Sequence, residues 1–238
     1  MTNDEAKKLA DAIMRDVFGR EQPFSLEQLE TLLTKGIQLP IKTTCVMTGQ
    51  EAYIHDPQPG TKVISEAAFM NRAKTDDWMQ PVRDLSNITD VLRAADEVKY
   101  MTAGKAPNSQ NVAKSDSVIA SSGVYFSSLI GNSKNVLLSH DCFFSNYSLA
   151  CRGNSSCNFC VRTFDSTYCS SSFEVRWSNK VSKSMFINDC LDLYECLFCY
   201  GIRSKKYCVA NVQLSQEEYQ RVKGIVVDWI FSTYIPGM

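Results

Sequence analysis

Polar and apolar positions divide the chain into two regimes. Over roughly the first hundred residues the apolar side chains recur at helical spacing between recognisable start and stop signals. Thr2 with Glu5 makes a capping box, Leu9, Ile13 and Val17 follow four residues apart, and Gly19 can close the helix. Ser25 with Gln28 repeats the start signal, Leu29, Leu32 and Leu33 give one apolar face, and Gly36 ends it. The Pro-, Gly- and Thr-rich stretch 40–62 predicts loop with a short hairpin. Two further helices are predicted over 65–75, starting at Ser65, and over 87–99, where Ile88, Val91, Leu92, Ala95 and Val98 share a face.

Beyond a turn-rich stretch at 105–120 the pattern changes. Cysteines stand at 142, 151, 160 and 169 and again at 190, 199 and 208, each step being nine, and the spacing C-x5-C-x2-C occurs at Cys151, Cys157, Cys160 and at Cys190, Cys196, Cys199. Such recurrence signals an internal repeat. Laid on itself, the segment gives eight six-residue units: SSGVYF, SKNVLL, SNYSLA, SCNFCV, SSSFEV, SKSMFI, LYECLF and SKKYCV. Seven begin with Ser, and the last position is apolar in all eight (Phe126, Leu138, Ala150, Val161, Val175, Ile187, Phe198, Val209). Alternate units match best, at starts 23, 26 and 22 residues apart, which predicts coils of about two dozen residues. One coil cannot bury its apolar positions alone; stacking equivalent positions at about 4.8 Å builds a continuous core.

The fold expected is therefore α+β: a mainly helical N-terminal region (1–110), a Cys- and Ser-rich parallel β-solenoid of about four coils (118–213) and a C-terminal capping helix (214–238). Ser215 with Glu218 starts that last helix, and Tyr219, Val222, Val226, Ile230 and Phe231 run along one side of it. It is expected to cover one open end of the solenoid and the N-terminal helices the other, since an uncovered end invites edge-to-edge pairing.

Composition narrows the function classes. With 238 residues, 44% apolar and 21% charged, the chain has an ordinary globular make-up, and its 25 basic side chains nearly cancel 26 acidic ones. A polycation that coats nucleic acid is disfavoured. The N-terminus has no apolar stretch like that of a signal peptide, so a soluble, cytoplasmic protein is expected, and its ten cysteines read as thiols or metal ligands rather than disulfides.

The tract Cys196-Leu-Phe-Cys199-Tyr-Gly201, then Tyr207-Cys208-Val-Ala-Asn211 and Ser215-Gln-Glu217-Glu218-Tyr219, resembles the closing segment of a group of cysteine-rich repeat proteins common in candidate-phylum bacteria. The likeness covers roughly residues 130–223. It implies a repeat fold and carries no activity with it. The paired-Cys zinc-ribbon motifs that precede the repeat in that group have no counterpart here, where Cys45 stands alone in the first part.

The pairs Cys157-x-x-Cys160 and Cys196-x-x-Cys199 have the spacing of a four-thiolate zinc site. Strand alternation would point their members in different directions, which favours stacked structural thiols over zinc or redox chemistry, and no metal or cofactor is expected. Lys134, Lys183, Lys205 and Lys206 fall near the start of alternate units and would form a basic stripe if the units stack. Beside it, Leu137, Cys160, Phe186 and Cys208 would form an outward apolar line that the N-terminal helices or a partner must cover. Asp165, Asp189, Asp192 and Glu195 form a weak acid/base candidate, and His140 beside Cys142 a weaker nucleophilic one. No phosphate-binding glycine loop or metalloprotease helix motif is present. The function expected is a non-enzymatic structural or interaction protein that offers a flat solenoid face to a protein partner or a second copy, in an oligomer or a viral or mobile-element assembly. A β-helix hydrolase built on the acidic cluster and a nucleic-acid binder built on the lysines are the alternatives.

Overall fold

The computed structural model describes residues 1–74 and 78–238. Helix α1 (Asn3–Phe18) starts at the Thr2–Glu5 capping box and stops at Gly19, whose φ of 72° is the left-handed value that glycine adopts freely. Helix α2 (Leu26–Leu33) has the second capping box, Ser25 with Gln28. Strands β1 (Ile41–Thr44) and β2 (Glu51–Ile54) form the short antiparallel hairpin, and β3 (Lys62–Ser65) runs into α3 (Glu66–Arg72). The predicted end of that helix, Thr75, lies outside the described residues. Helix α4 (Ile88–Glu97) is capped by Asn87 and leads into β4 (Tyr100–Ala103), which pairs parallel with β3. The apolar face expected on α4 is not packed: Ile88, Val91, Leu92 and Val98 are exposed and Ala94 is the buried residue of the helix.

The solenoid repeats every twelve residues. Ser122 stands beside Lys134, Lys134 beside Asn146, Asn146 beside Asn158 and Asn158 beside Ser170, always parallel, and the same step carries Ser182 to Tyr194 to Lys206. About eight turns result, twice the expected number of coils. The best-matching alternate units had spanned two coils each.

Within the coil the period is three. Every third residue from Asn108 to Ala210 has positive φ, between 44 and 59° where it is not glycine, so the chain bends four times per turn. A left-handed residue other than glycine costs about 1–2 kcal/mol, and the ladder offsets it: the bend N–H donates to the carbonyl one coil earlier, as from Leu138 to Tyr125 and from Ala150 to Leu137, both at 3.0 Å. Bend side chains also stack on one another, Tyr147 on Phe159 at 4.3 Å and 4° and Phe186 on Phe198 at 4.5 Å and 3°.

The residue after each bend points inward. Ser115, Val118, Ser121, Val124, Ser127, Ile130, Ser133, Val136 and Ser139 are all buried, a strict alternation of hydroxyl and branched apolar side chain. Buried hydroxyls are tolerated because each is used twice. Ser127 Oγ donates to the Tyr125 carbonyl at 2.9 Å and accepts the Ser139 N–H at 3.0 Å, and Ser139 Oγ in turn accepts the Cys151 N–H at 3.0 Å. Serine is small enough for a narrow interior and its hydroxyl satisfies its own rung.

The serines change column part-way. They occupy 121, 133 and 145 in the early coils and 166 and 178, one bend back round the coil, in the late ones, where Ser178 N–H meets Ser166 Oγ at 3.4 Å. Ser148 Oγ and Asn154 Oδ1 lie at this transition and find no partner. This shift put the hexads out of phase: Val175 and Ile187 face the interior, whereas Phe126, Leu138 and Ala150 are bends.

The residue before each bend points outward, and one such column is continuously apolar: Tyr125, Leu137, Leu149, Val161, Phe173, Met185 and Leu197, all buried. Helix α1 lies along it. Tyr125 Oη donates to Asn3 Oδ1 at 2.9 Å near the start of the helix, and the Phe18 ring meets Phe173 edge-on at 5.0 Å at its end. The four coils between Tyr125 and Phe173 span about 19 Å at the strand spacing, and fifteen helical steps give about 22 Å, so helix and column match in length. Helix α5 (Gln216–Trp229), which loosens into a π-turn over Ile230–Tyr234, covers the remainder, with Phe231 against Phe18 at 5.1 Å and Trp229 over Phe186 and Phe198. Both helices therefore flank the solenoid instead of plugging its ends. The first coil is closed by residues 105–107, as Val118 N–H reaches the Lys105 carbonyl at 2.9 Å, and the last by the antiparallel pair Cys208–Val209 and Val212–Gln213.

A buried ion pair ties the flank together. Arg162 Nε lies 2.6 Å from Glu174 Oε1 and its guanidinium also donates to the Leu33 carbonyl at the end of α2, while Tyr234 Oη donates to the same Glu174 oxygen at 3.2 Å. Burial, with Glu174 beside it, pushes the Tyr234 phenol up to about 12.

Candidate interaction surfaces

The four lysines do not form a stripe. Lys134 and Lys206 share a column but stand six coils apart, with Ser170, Ser182 and Tyr194 between them. Lys183 is a bend residue and Lys205 takes an inward position in the last coil, where no further coil covers it. All four are exposed. The apolar line separates too. Leu137 is fully buried under α1, Phe186 is packed against Phe198, Trp229 and Tyr234, and Cys160 and Cys208 face the interior. Leu137 is thus occupied within the molecule, and Phe186 is partly buried by its ring neighbours.

All nine solenoid cysteines take the inward position, and the nine-residue step is three bends of three residues. Alternation at a period of two does not apply, so Cys157 and Cys160, and Cys196 and Cys199, point into one interior from adjoining sides of a coil. Burial pushes the Cys142 and Cys160 thiols well above the ordinary range and Cys151 up to about 11. Cys157 is held below it by hydrogen bonds from Cys160 and Cys169. Among the described residues, no three His, Cys, Asp or Glu side chains gather as metal ligands would.

Asp189, Asp192 and Glu195 occupy three successive bends, hence three different corners of the coil. Asp192 accepts from Ser204 Oγ at 2.9 Å, Glu195 is buried against Gln220 of α5, and Asp165 pairs with Arg152 at 3.1 Å. These carboxylates cannot converge on one bond. His140 meets His55 with ring centroids 4.9 Å apart and hydrogen-bonds through Nδ1 to Ser128 Oγ at 3.0 Å, while Cys142 points inward away from it. The nucleophile–base pair is not formed. Burial and the neighbouring His55 hold the His140 imidazole below its ordinary range.

Besides the unpacked face of α4, the solenoid itself carries an exposed apolar rib on one corner. Ile119, Phe143, Phe144 and Tyr168 are 55, 40, 60 and 61% exposed, at or just before bends of one column, with Asn132, Ser155, Ser156 and Thr167 between them. Gly131 makes room for one ring: a Cβ there would lie 2.6 Å from Phe143 Cδ1. No charge lies within this stretch of the rib; Lys180 is the next bend residue after Tyr168. Reading hexads instead of triplets hid it, because Phe144 and Tyr168 fall between the units.

A scan of protein-family models and searches of curated proteins and of solved structures find no match to this chain. Among the described residues, no helix is long and apolar enough to cross a membrane.

Proposed function

We propose that this protein is a non-enzymatic interaction scaffold whose rigid solenoid holds an apolar rib against a protein partner. The observation that carries the reading is the set of four large apolar side chains, Ile119, Phe143, Phe144 and Tyr168, left exposed on a face whose register is fixed by the backbone ladder. Aromatic side chains give large contact area for the ordering of only two torsions each, and they dominate the energetics of protein interfaces. The scattered carboxylates and the unformed His140–Cys142 pair support binding over catalysis.

The test is affinity capture from cells that make the protein, alongside sedimentation velocity. The wild type is expected to retain a defined protein, or a second copy, that Phe144→Ser/Tyr168→Ser releases while its melting temperature stays unchanged. Equal capture by wild type and variant would overturn the reading, as would turnover of a small substrate.

A further inference from the structure

One bend back along the coil from the rib, three cationic side chains surround an aromatic ring. Arg152, Phe164 and Arg176 occupy the same column on successive coils, as the bridges from 152 to 164 and from 164 to 176 require. The guanidinium carbons of Arg152, Arg162 and Arg176 lie 5.5, 5.2 and 5.0 Å from the centroid of the buried Phe164 ring. The loop after α2 brings Lys35 and Gly36 alongside, and Trp177, 65% exposed, contributes to the rim. Together they line a pocket of about 330 Å³.

Charge there is only partly compensated. Lys35, Arg152, Arg162 and Arg176 bring four positive charges and Asp165 and Glu174 two negative ones. Arg162 is consumed by Glu174 and by the Leu33 carbonyl. Arg176 is different: half its side chain is exposed and it holds Glu174 through one contact of 3.3 Å. Arg152 is likewise 43% exposed, with one nitrogen on Asp165 at 3.1 Å and another on the Gly36 carbonyl at 3.3 Å. Among the described residues no carboxylate pairs with Lys35. Two guanidinium forks with donors to spare and an ammonium on a facing loop form the donor set for a tetrahedral oxyanion. The cation–ring stack pre-positions the forks before any ligand arrives. An exposed indole at the rim, next to a concentrated positive field, offers a flat surface to a planar ring attached to that anion.

We propose that this pocket binds a nucleotide through its phosphate, with Lys35, Arg152 and Arg176 holding the phosphate oxygens and Trp177 stacking on the base. The site shares no residue with the rib and stands or falls separately from it. Arg152 and Arg176 bracket Phe164 and act as a pair, while Lys35 carries charge from the N-terminal region onto the solenoid.

Titration of the full chain with adenosine monophosphate, adenosine, inorganic phosphate and a 5′-phosphorylated single-stranded oligonucleotide tests this, read by calorimetry and tryptophan fluorescence at low salt. The monophosphate should bind at least roughly tenfold more tightly than either half alone, and Arg176→Gln or Lys35→Gln should each cost roughly tenfold. Trp177→Ala should lower the affinity for the monophosphate towards that for phosphate and leave phosphate binding unchanged. Tighter binding of the oligonucleotide with the same dependence on Arg176 and Trp177 would assign the ligand to nucleic-acid ends, and equal affinity to free nucleotide; either supports the site. Failure of all four probes to bind at about millimolar concentration, affinity unaffected by Lys35→Gln and Arg176→Gln, or phosphate binding as tightly as the nucleotide would overturn it. Arg176→Lys, which keeps the charge and loses the fork, separates specific recognition from general attraction.

Discussion

Two outward columns of the same solenoid met opposite fates. The column from Tyr125 to Leu197 is apolar at every coil and is roofed end to end by α1 and α5. The rib is apolar at Ile119, Phe143, Phe144 and Tyr168 but broken by Asn132, Ser155 and Ser156, and no element among the described residues covers it. Backbone, register and twelve-residue coil are common to both, so the difference lies in the side chains alone. A fully apolar column cannot be left in water, and the chain devotes two helices to it. A broken one costs less to expose and remains available for binding.

Mutations on the covered flank, inside the coil and on the rib should therefore give unequal results. Phe173→Ala removes a fully buried ring that meets Phe18, Phe186 and Tyr234, and should destabilise by about 3–5 kcal/mol in chemical denaturation. Glu174→Ala strands the buried Arg162 guanidinium on the same flank and should cost about 3–5 kcal/mol, with α2 the first element to lose amide protection in hydrogen exchange. Inside the coil, Ser139→Ala leaves the Cys151 N–H without its acceptor and should cost about 1–3 kcal/mol. On the rib, Phe144→Ser should change stability by no more than about 0.5 kcal/mol while abolishing partner capture. If it destabilises as much as Phe173→Ala, the two columns do not differ in the way described.

The smallest effect concerns pH. The His140 imidazole is held below its ordinary range in the folded state, so protonation favours the unfolded chain. Its contribution is complete above the ordinary value of 6.5 and declines as pH falls from there to the lower folded value. His140→Gln should flatten that part of the stability profile.

Much of the architecture could be read from local chemistry. Both N-terminal capping boxes, Gly19 as a stop and the Ser215 start of α5 depend on near neighbours in sequence and fold as the residues imply. The solenoid itself was announced by the nine-residue cysteine steps. What escaped was its period. A backbone that turns left-handed at every third residue is open to Phe, Trp, Arg and Glu as well as to Gly and Asn, so nothing in residue type marks the bends, and alternation at two was the natural assumption. From that came the doubled coil length, the lysine stripe and the outward placing of Cys160 and Cys208. The rib and the Arg152–Phe164–Arg176 column become visible only when residues twelve apart are aligned.

The twelve-residue coil is the claim on which the columns, the rib and the pocket depend, and a distance between spin labels tests it directly. Asn132 and Ser204 are bend residues of one column on the uncovered side, six coils apart, and the native thiols are buried and shielded from labelling. Nitroxides on Asn132→Cys and Ser204→Cys should lie about 29 Å apart by pulsed electron–electron resonance, six steps at the strand spacing. A distance near 14 Å, the three steps that coils of two dozen residues would give, would contradict the account.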